Sequence, residues 1–332
     1  ADYVANSGTL TFAPGETTKT ITVAVAGDLL NEANETFNVN LATPVNATIS
    51  DGAGLGTITD NDTPPTLSIN DVTVTEGDAT TVSASFTVTL SAISGQTVTV
   101  NFATANGNAI QPGDYVSISG LLTFAPGETT KTVNVIVAGD LLDELDETFN
   151  VNLTSAVNAT MNDGVGLGTI TDNDATPTIT LSSDKATIAE PSDTATFTAT
   201  LSAASGREVR FDLEFSGTAT LDADYTRTGT GSRIVIAPGQ LTASLSVTAT
   251  RDTLDELDET IIVDITTVTN AIEATPQQVT VTLNDDSPGL LVVTTAVDEL
   301  NFNNTAVSLR EAIEVANRNP DVSTITFDAN LN

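Results

Sequence analysis

No cysteine, histidine or tryptophan occurs anywhere in the chain. Without His and Cys there is no Ser–His–Asp or Cys–His nucleophile system and no His- or Cys-ligated zinc site. Without Cys the redox compartment leaves no mark in disulfides. Three tyrosines and no tryptophan give little from which to build a sugar-stacking platform. Bases are scarce too: ten Lys and Arg face 44 acids, for a net charge of −34. A polyanion of this kind repels nucleic acid and anionic lipid, so its expected partners are cations or basic surfaces. Apolar runs such as "GLLVV" (289–293) are far too short to span a bilayer, and neither a signal peptide nor a start methionine is recognisable.

What is present is repetition. Asp2-Tyr3 returns as Asp114-Tyr115 and Asp224-Tyr225, and "LTFAPGETTKT" (10–20) returns at 122–132 and weakly at 234–244. Asp28, Asp140 and Asp252 stand 112 residues apart, and "TITDND" (57–62) returns at 169–174 and as "TLNDD" (282–286). That period is one immunoglobulin-sized domain, too long for a solenoid repeat.

Within residues 65–175 the apolar residues alternate with polar ones throughout, as in "TVSASFTVTL", "VTVNFAT", "TVNVIVA" and "ETFNVNLT". "TLSINDVTV" reads as one opening strand. In "APGE", Pro126 and Gly127 suit a type II turn. Seven short alternating strands in one period predict an antiparallel, immunoglobulin-like two-sheet sandwich. The expected fold class is therefore all-β: tandem sandwiches, with a short C-terminal segment containing one helix. The expected division is 1–63 (the C-terminal half of a truncated sandwich), 64–175, 176–287, and 288–332 as the start of a different domain. In that last segment "SLREAIEVANRN" carries a capping box, Ser308 with Glu311, over a predicted helix at about 308–319. Leu309, Ile313 and Ala316 are its expected apolar stripe.

The acids are not scattered. Five carboxylates fall in the eight residues from Asp140 to Glu147, in the loop before the sixth strand. Loops of such a sandwich alternate between its two ends. Glu76, Asp114, the Asp140–Glu147 loop, Asp172 and Asp174 fall at one end, and Glu128 and Asp163 at the other. Two like charges ~4 Å apart repel by roughly 4 kcal/mol at an effective dielectric of 20. Ca²⁺ relieves that with about 6–8 oxygens in flexible geometry, where Mg²⁺ prefers tighter octahedra with retained water. So many carboxylates predict more than one Ca²⁺ per complete domain. A solvated acidic surface is the plain alternative, but it predicts scattered acids. Positions one, five and eight of the loop are acidic in all three copies, whereas Asp143 and Asp146 become Asn31 and Asn34 and fit either reading. The loop lacks the Gly and the following helix of an EF-hand.

"TEGD" (75–78), "GDY" (113–115), "LTFAPGETTKT", "GDLLDELDETF" (139–149) and "TITDND" together resemble the Calx-beta domain, over 65–175 fully, 177–287 well and 1–63 in part. In calcium-binding members the ions sit among these loops. The resemblance implies Glu76, Asp114, Asp140, Glu144, Glu147, Asp172 and Asp174 as ligands in the second copy, with the carbonyl of Leu142. The third-copy counterparts are Glu190, Asp224, Asp252, Glu256, Glu259, Asp285 and Asp286. A weaker site is expected there, because Pro191, Arg251 and Ser287 depart from the pattern. The first copy offers Asp2, Asp28, Glu32, Glu35, Asp60 and Asp62. "SLREAIEVAN" resembles the segment that opens right-handed β-helix domains of large bacterial secreted proteins.

"GVGLGT" (164–169) imitates a nucleotide loop but precedes a strand, so it reads as a turn. The Asn-x-Thr triplets fit chance in so Asn- and Thr-rich a chain. Paired carboxylates without aromatics do not make a glycosidase, so the chain is expected not to be an enzyme. The expected function is a calcium-binding segment of a large extracellular or cell-surface protein of bacterial kind, serving adhesion or cell communication. Calcium would stiffen its interdomain junctions. The expected partners are calcium and a cell-surface protein or matrix component, with no nucleic acid and no transmembrane segment. The alternatives are a metal-independent acidic spacer presenting a β-helix or catalytic domain, and a cadherin-like homophilic array.

Overall fold

The computed structural model describes residues 2–229, 231–250, 257–284, 290–301, 306–318 and 324–331. They fall into two units, Ala1–Asp140 with Asp146–Thr171, and Leu141–Leu145 with Asp172–Asn332.

In the first unit, β1 (Glu35–Asn40) and β2 (Ala53–Ile58) pair antiparallel with Phe37 opposite Gly56. Tyr3 stacks on Phe37 at 4.8 Å. Phe12, Val25 and Leu55 are exposed. The complete sandwich of this unit follows as β3 (Thr66–Ile69), β4 (Val72–Thr75), β5 (Val82–Leu90), β6 (Val98–Asn106), β7 (Ser119–Phe124), β8 (Thr130–Val137), β9 (Glu147–Val157), β10 (Thr160–Met161) and β11 (Val165–Thr171). One sheet runs β10-β3-β5-β8 and the other β4-β11-β9-β6-β7. The alternation of the sequence becomes the core: Ala84, Phe86, Val88 and Leu90 of β5 are buried with Val133 and Val135 of β8 and Phe149 and Val151 of β9. The "APGE" turn forms as expected, with Gly127 at φ 87° and the Glu128 N–H donating to the Ala125 carbonyl at 2.9 Å.

The opening strand differs from expectation. It breaks at Asn70-Asp71 into β3 and β4, which join different sheets. The two break residues hold both. The Asn70 Oδ1 accepts the Thr87 N–H at 2.6 Å on β5, and the Asp71 Oδ1 accepts the Leu167 N–H at 2.7 Å on β11. Short polar side chains here take the place of ladder partners and let the chain cross between sheets.

The second unit repeats the plan with β12 (Thr178–Ser183), β13 (Thr187–Ala189), β14 (Thr194–Leu201), β15 (Val209–Gly217), β16 (Tyr225–Arg227), β17 (Arg233–Ile236), β18 (Thr242–Ala249), β19 (Glu259–Thr269), β20 (Ile272–Glu273) and β21 (Gln278–Asn284). Its sheets run β16-β18-β14-β12-β20 and β13-β21-β19-β15-β17. After them β22 (Leu290–Val293) and β23 (Thr324–Phe327) pair parallel, with α1 (Leu309–Arg318) between them in the chain.

The cap of α1 is the expected one: the Glu311 Oε2 accepts the Ser308 N–H at 2.7 Å, and the Ser308 Oγ accepts the Glu311 N–H at 3.2 Å. The apolar stripe is not. Leu309 and Ile313 are exposed, while Ala312 and Val315 are buried and Ala316 packs against them. The cap explains the rotation. Glu311 also accepts the Asn301 N–H, which draws it inward to 3% exposure and centres the buried face on 308, 311, 312 and 315.

Candidate metal centre

The residues of the acidic end are placed by the same backbone bond in each copy. The carbonyl of Asp2 accepts the Ala26 N–H, that of Asp114 the Ala138 N–H, both at 2.9 Å, and that of Asp224 the Thr250 N–H at 2.8 Å. This clamps each Asp-Tyr pair to the strand leading into its acidic loop. The tyrosine supplies the anchor beneath: Tyr115 is fully buried, stacks on Phe149 at 4.6 Å and donates its hydroxyl proton to the Asn106 Oδ1 at 2.5 Å. Burial pushes its phenol above the usual pKa. Glu76 is tied by its N–H to the Thr171 carbonyl at 3.2 Å, and Glu190 likewise to Asn284 at 3.1 Å.

In the first copy the structure brings Asp2, Glu32 and Glu35 together, each with a carboxylate oxygen within 4.8 Å of the others. The charge of Asp2 is the main cause that pushes the Glu35 carboxyl above its ordinary pKa; desolvation, a hydrogen bond with Asp2 and the charge of Glu32 add to it. This is the repulsion expected where hard oxygen donors converge. Oxygen-only donors at such spacing fit a divalent cation of the Ca²⁺ type. Asp28 turns inward on its own loop, accepting the Leu30 N–H at 2.8 Å. Asp60 accepts from the Asn31 Nδ2 at 3.0 Å, and the Asp62 N–H lies 3.4 Å from the Asp60 Oδ1.

In the second copy, Asp114 and Glu147 of the first unit offer oxygens within 4.8 Å of each other, as do Asp172 and Asp174 of the second unit. Asp140 is exposed, Leu142 and Glu144 half-buried. Asp114 also closes its own turn, with Oδ2 accepting the Ile110 N–H at 2.6 Å; Asp224 does the same with the Thr220 N–H at 2.5 Å. In the third copy Glu190 and Asp224 are buried and Glu259 half-buried. Asp252, Glu256, Asp285 and Asp286 lie outside the described residues.

The description "Calx-beta domain" matches residues 1–57, 60–171 and 172–287. The chain belongs to the Calx-beta family. It is 32% identical over 182 residues to the adhesion G-protein coupled receptor V1 of Danio rerio, a match covering 52% of this chain and 3% of that receptor. The chain thus spans a small fraction of that relative's length. Among solved structures, it is similar to CBD12 from CALX1.2 (16% identity, 66% of this chain, 99% of that chain, TM-score 0.32). A second is the Yersinia pseudotuberculosis adhesin InvE (15% identity, 67% and 59%, TM-score 0.32). Likeness at this level adds nothing to the family assignment.

Sequence reasoning missed a second set of residues around these Calx-beta loops. Asp143, open to either reading from sequence, is 4% exposed and takes the Arg207 Nε at 2.9 Å and Nη2 at 2.5 Å on its Oδ2. Its Oδ1 accepts the Thr176 hydroxyl at 3.0 Å. That is an ion pair rather than a ligand geometry. The signal that could have found it is a repeated hexapeptide, "SAISGQ" (91–96) and "SAASGR" (202–207), which carries no acid and so drew no notice. Among the described residues no helix is long and apolar enough to cross a membrane.

Proposed function

We propose that the chain is a non-catalytic, calcium-binding tandem Calx-beta segment of an extracellular or cell-surface protein with a role in adhesion or cell communication. Calcium held by the loop carboxylates at one end of each sandwich stiffens the passage to the next. The observation that carries this reading is the convergence of Asp2, Glu32 and Glu35 within 4.8 Å at positions that recur, acid for acid, in the later copies. The extracellular setting is supported by the adhesion receptor among its relatives. A bacterial surface is suggested by the resemblance of the α1 segment to the start of right-handed β-helix domains.

Thermal unfolding of the full chain, in calcium and then in excess chelator, tests the reading. A ligand at about 100 times its Kd adds roughly 2.7 kcal/mol per site. Asp140→Ala with Glu147→Ala is expected to lose most of the calcium-induced shift in the second copy. Coincident melts at millimolar calcium would leave the second reading, a metal-independent spacer. One observation favours that reading: the Asp143–Arg207 pair satisfies a loop carboxylate with protein groups alone.

A further inference from the structure

The fourth residue of each described acidic loop is buried, Asn31 at 6% and Asp143 at 4% exposure, and each meets the same receptor. Asn31 pairs as a parallel bridge with Ser94, and its carbonyl accepts the Gly95 N–H at 3.0 Å. Asp143 bridges Ser205 in the same way, its carbonyl accepting the Gly206 N–H at 3.2 Å. The serines are buried and brace the receptor, each Oγ accepting the N–H two residues on, of Gln96 or Arg207, at 3.1 Å. The glycine between leaves room for the glutamate that follows in the loop. A Cβ on Gly206 would stand 2.0 Å from the Glu144 Oε1 and 2.5 Å from its Cγ, and one on Gly95 2.7 Å from the Glu32 Cγ.

The backbone contact is thus common, and the side chains differ in step. The Asn31 Oδ1 accepts from the Gln96 Nε2 at 3.3 Å, while its Nδ2 donates to the Asp60 Oδ2 at 3.0 Å and the Asp62 carbonyl at 3.3 Å. At the later position the carboxylate of Asp143 faces the guanidinium of Arg207. An Asp at 31 would set two carboxylates against each other at Asp60. A Gln at 207 would leave Asp143 as a buried charge without its cation, which is costlier than either matched pair.

We propose that this pair, loop position four with the residue after Ser-Gly one repeat later, is a docking code that determines which repeat seats on which. Amide is matched to amide and carboxylate to guanidinium, and calcium is not required. The surface is the Ser-Gly-Gln/Arg connection, and its partner is the acidic loop of the preceding Calx-beta repeat.

The test is amide hydrogen exchange on the full chain in excess chelator, comparing the parent with Asp143→Asn, Arg207→Gln and the double variant, which recreates the Asn31–Gln96 chemistry. Protection at 143–145 and at the Gly206 N–H is expected to fall about tenfold or more in each single variant. In the double variant it returns to within about threefold of the parent. Exchange at Val247 in the core reports that the sandwich itself stays folded. Arg207→Gln behaving as the parent, or a double variant no better than the worse single, overturns the code. So does an effect of Asp143→Asn that appears only in calcium, since that marks a ligand.

Discussion

Phe149 on β9 lies opposite Gly168 on β11, and Phe37 lies opposite Gly56 in the first copy, whereas the third copy sets Ile261 against Val281. The pairs trade volume, and a swap between copies tests whether that trade is what packs the core. A Cβ on Gly168 would stand 2.4 Å from the Phe149 Cζ and 2.6 and 2.8 Å from the ring carbons beside it. The ring has little room to retreat: it stacks on Tyr115 at 4.6 Å, meets Phe86 edge-on at 5.9 Å and is fully buried. Gly168→Val is therefore expected to cost about 3 kcal/mol, the upper end for overpacking. Phe149→Ile alone leaves a gap worth roughly 2 kcal/mol. Together they rebuild the Ile–Val pair, and the double variant is expected within about 1 kcal/mol of the parent. Calorimetry of the full chain reads this directly. At about 4 °C per kcal/mol for a domain of this size, Gly168→Val lowers the transition of the first unit by roughly 12 °C. A Gly168→Val melt that superposes on the parent, or a double variant that loses the sum of both singles, would refute the reasoning.

Three further outcomes are expected. Tyr115→Phe removes the 2.5 Å bond to Asn106 and costs about 1 kcal/mol in urea unfolding, with the ring stack preserved. Glu311 works against its burial: N–H donors from Ser308 and Asn301, with the Ser308 hydroxyl, hold its carboxyl below the usual 4.5. A depressed folded-state value means its contribution is present above pH 4.5 and is lost as the pH falls further. Helical ellipticity from α1 should fade in that range, and in Glu311→Gln the pH-dependent part should vanish. Exchanging Glu128 and Lys131, a partly exposed pair 2.8 Å apart, should move the melting point by less than about 0.5 kcal/mol equivalent.

Much of the sandwich was legible in the sequence because period-two alternation is a direct record of burial on two faces. The "APGE" turn was legible because its glycine has to take a positive φ, as Gly127 does. The break at Asn70-Asp71 was not, since the residues that cause it act through side chains on strands 17 and 96 residues away in sequence. The α1 stripe failed for a similar reason. Counting apolar residues put Leu309 and Ile313 inside, whereas a carboxylate, Glu311, had the stronger claim through its donors. At the acidic end, residue type pointed to the region but could not separate carboxylates that converge from one that is already neutralised.

That separation has a physical basis the three copies make visible. Loop positions one, five and eight keep their acids in every copy. Position four varies between Asn and Asp, and the residue it meets varies with it between Gln and Arg. Each pairing is itself uncharged overall, amide with amide or carboxylate with guanidinium, which is what a low-dielectric environment favours. The invariant acids obey no such rule. The second copy contains one base, Lys131, and it is engaged with Glu128 in the turn. A buried junction can be neutralised from within the chain, and at position four it is. The other acids of the loop stand in a copy with a single base, and on the proposed reading a diffusible cation balances them. Acids that recur at positions one, five and eight in every copy, beside a position four whose partner changes in step with it, are the pattern on which the proposed division between metal ligands and docking residues rests.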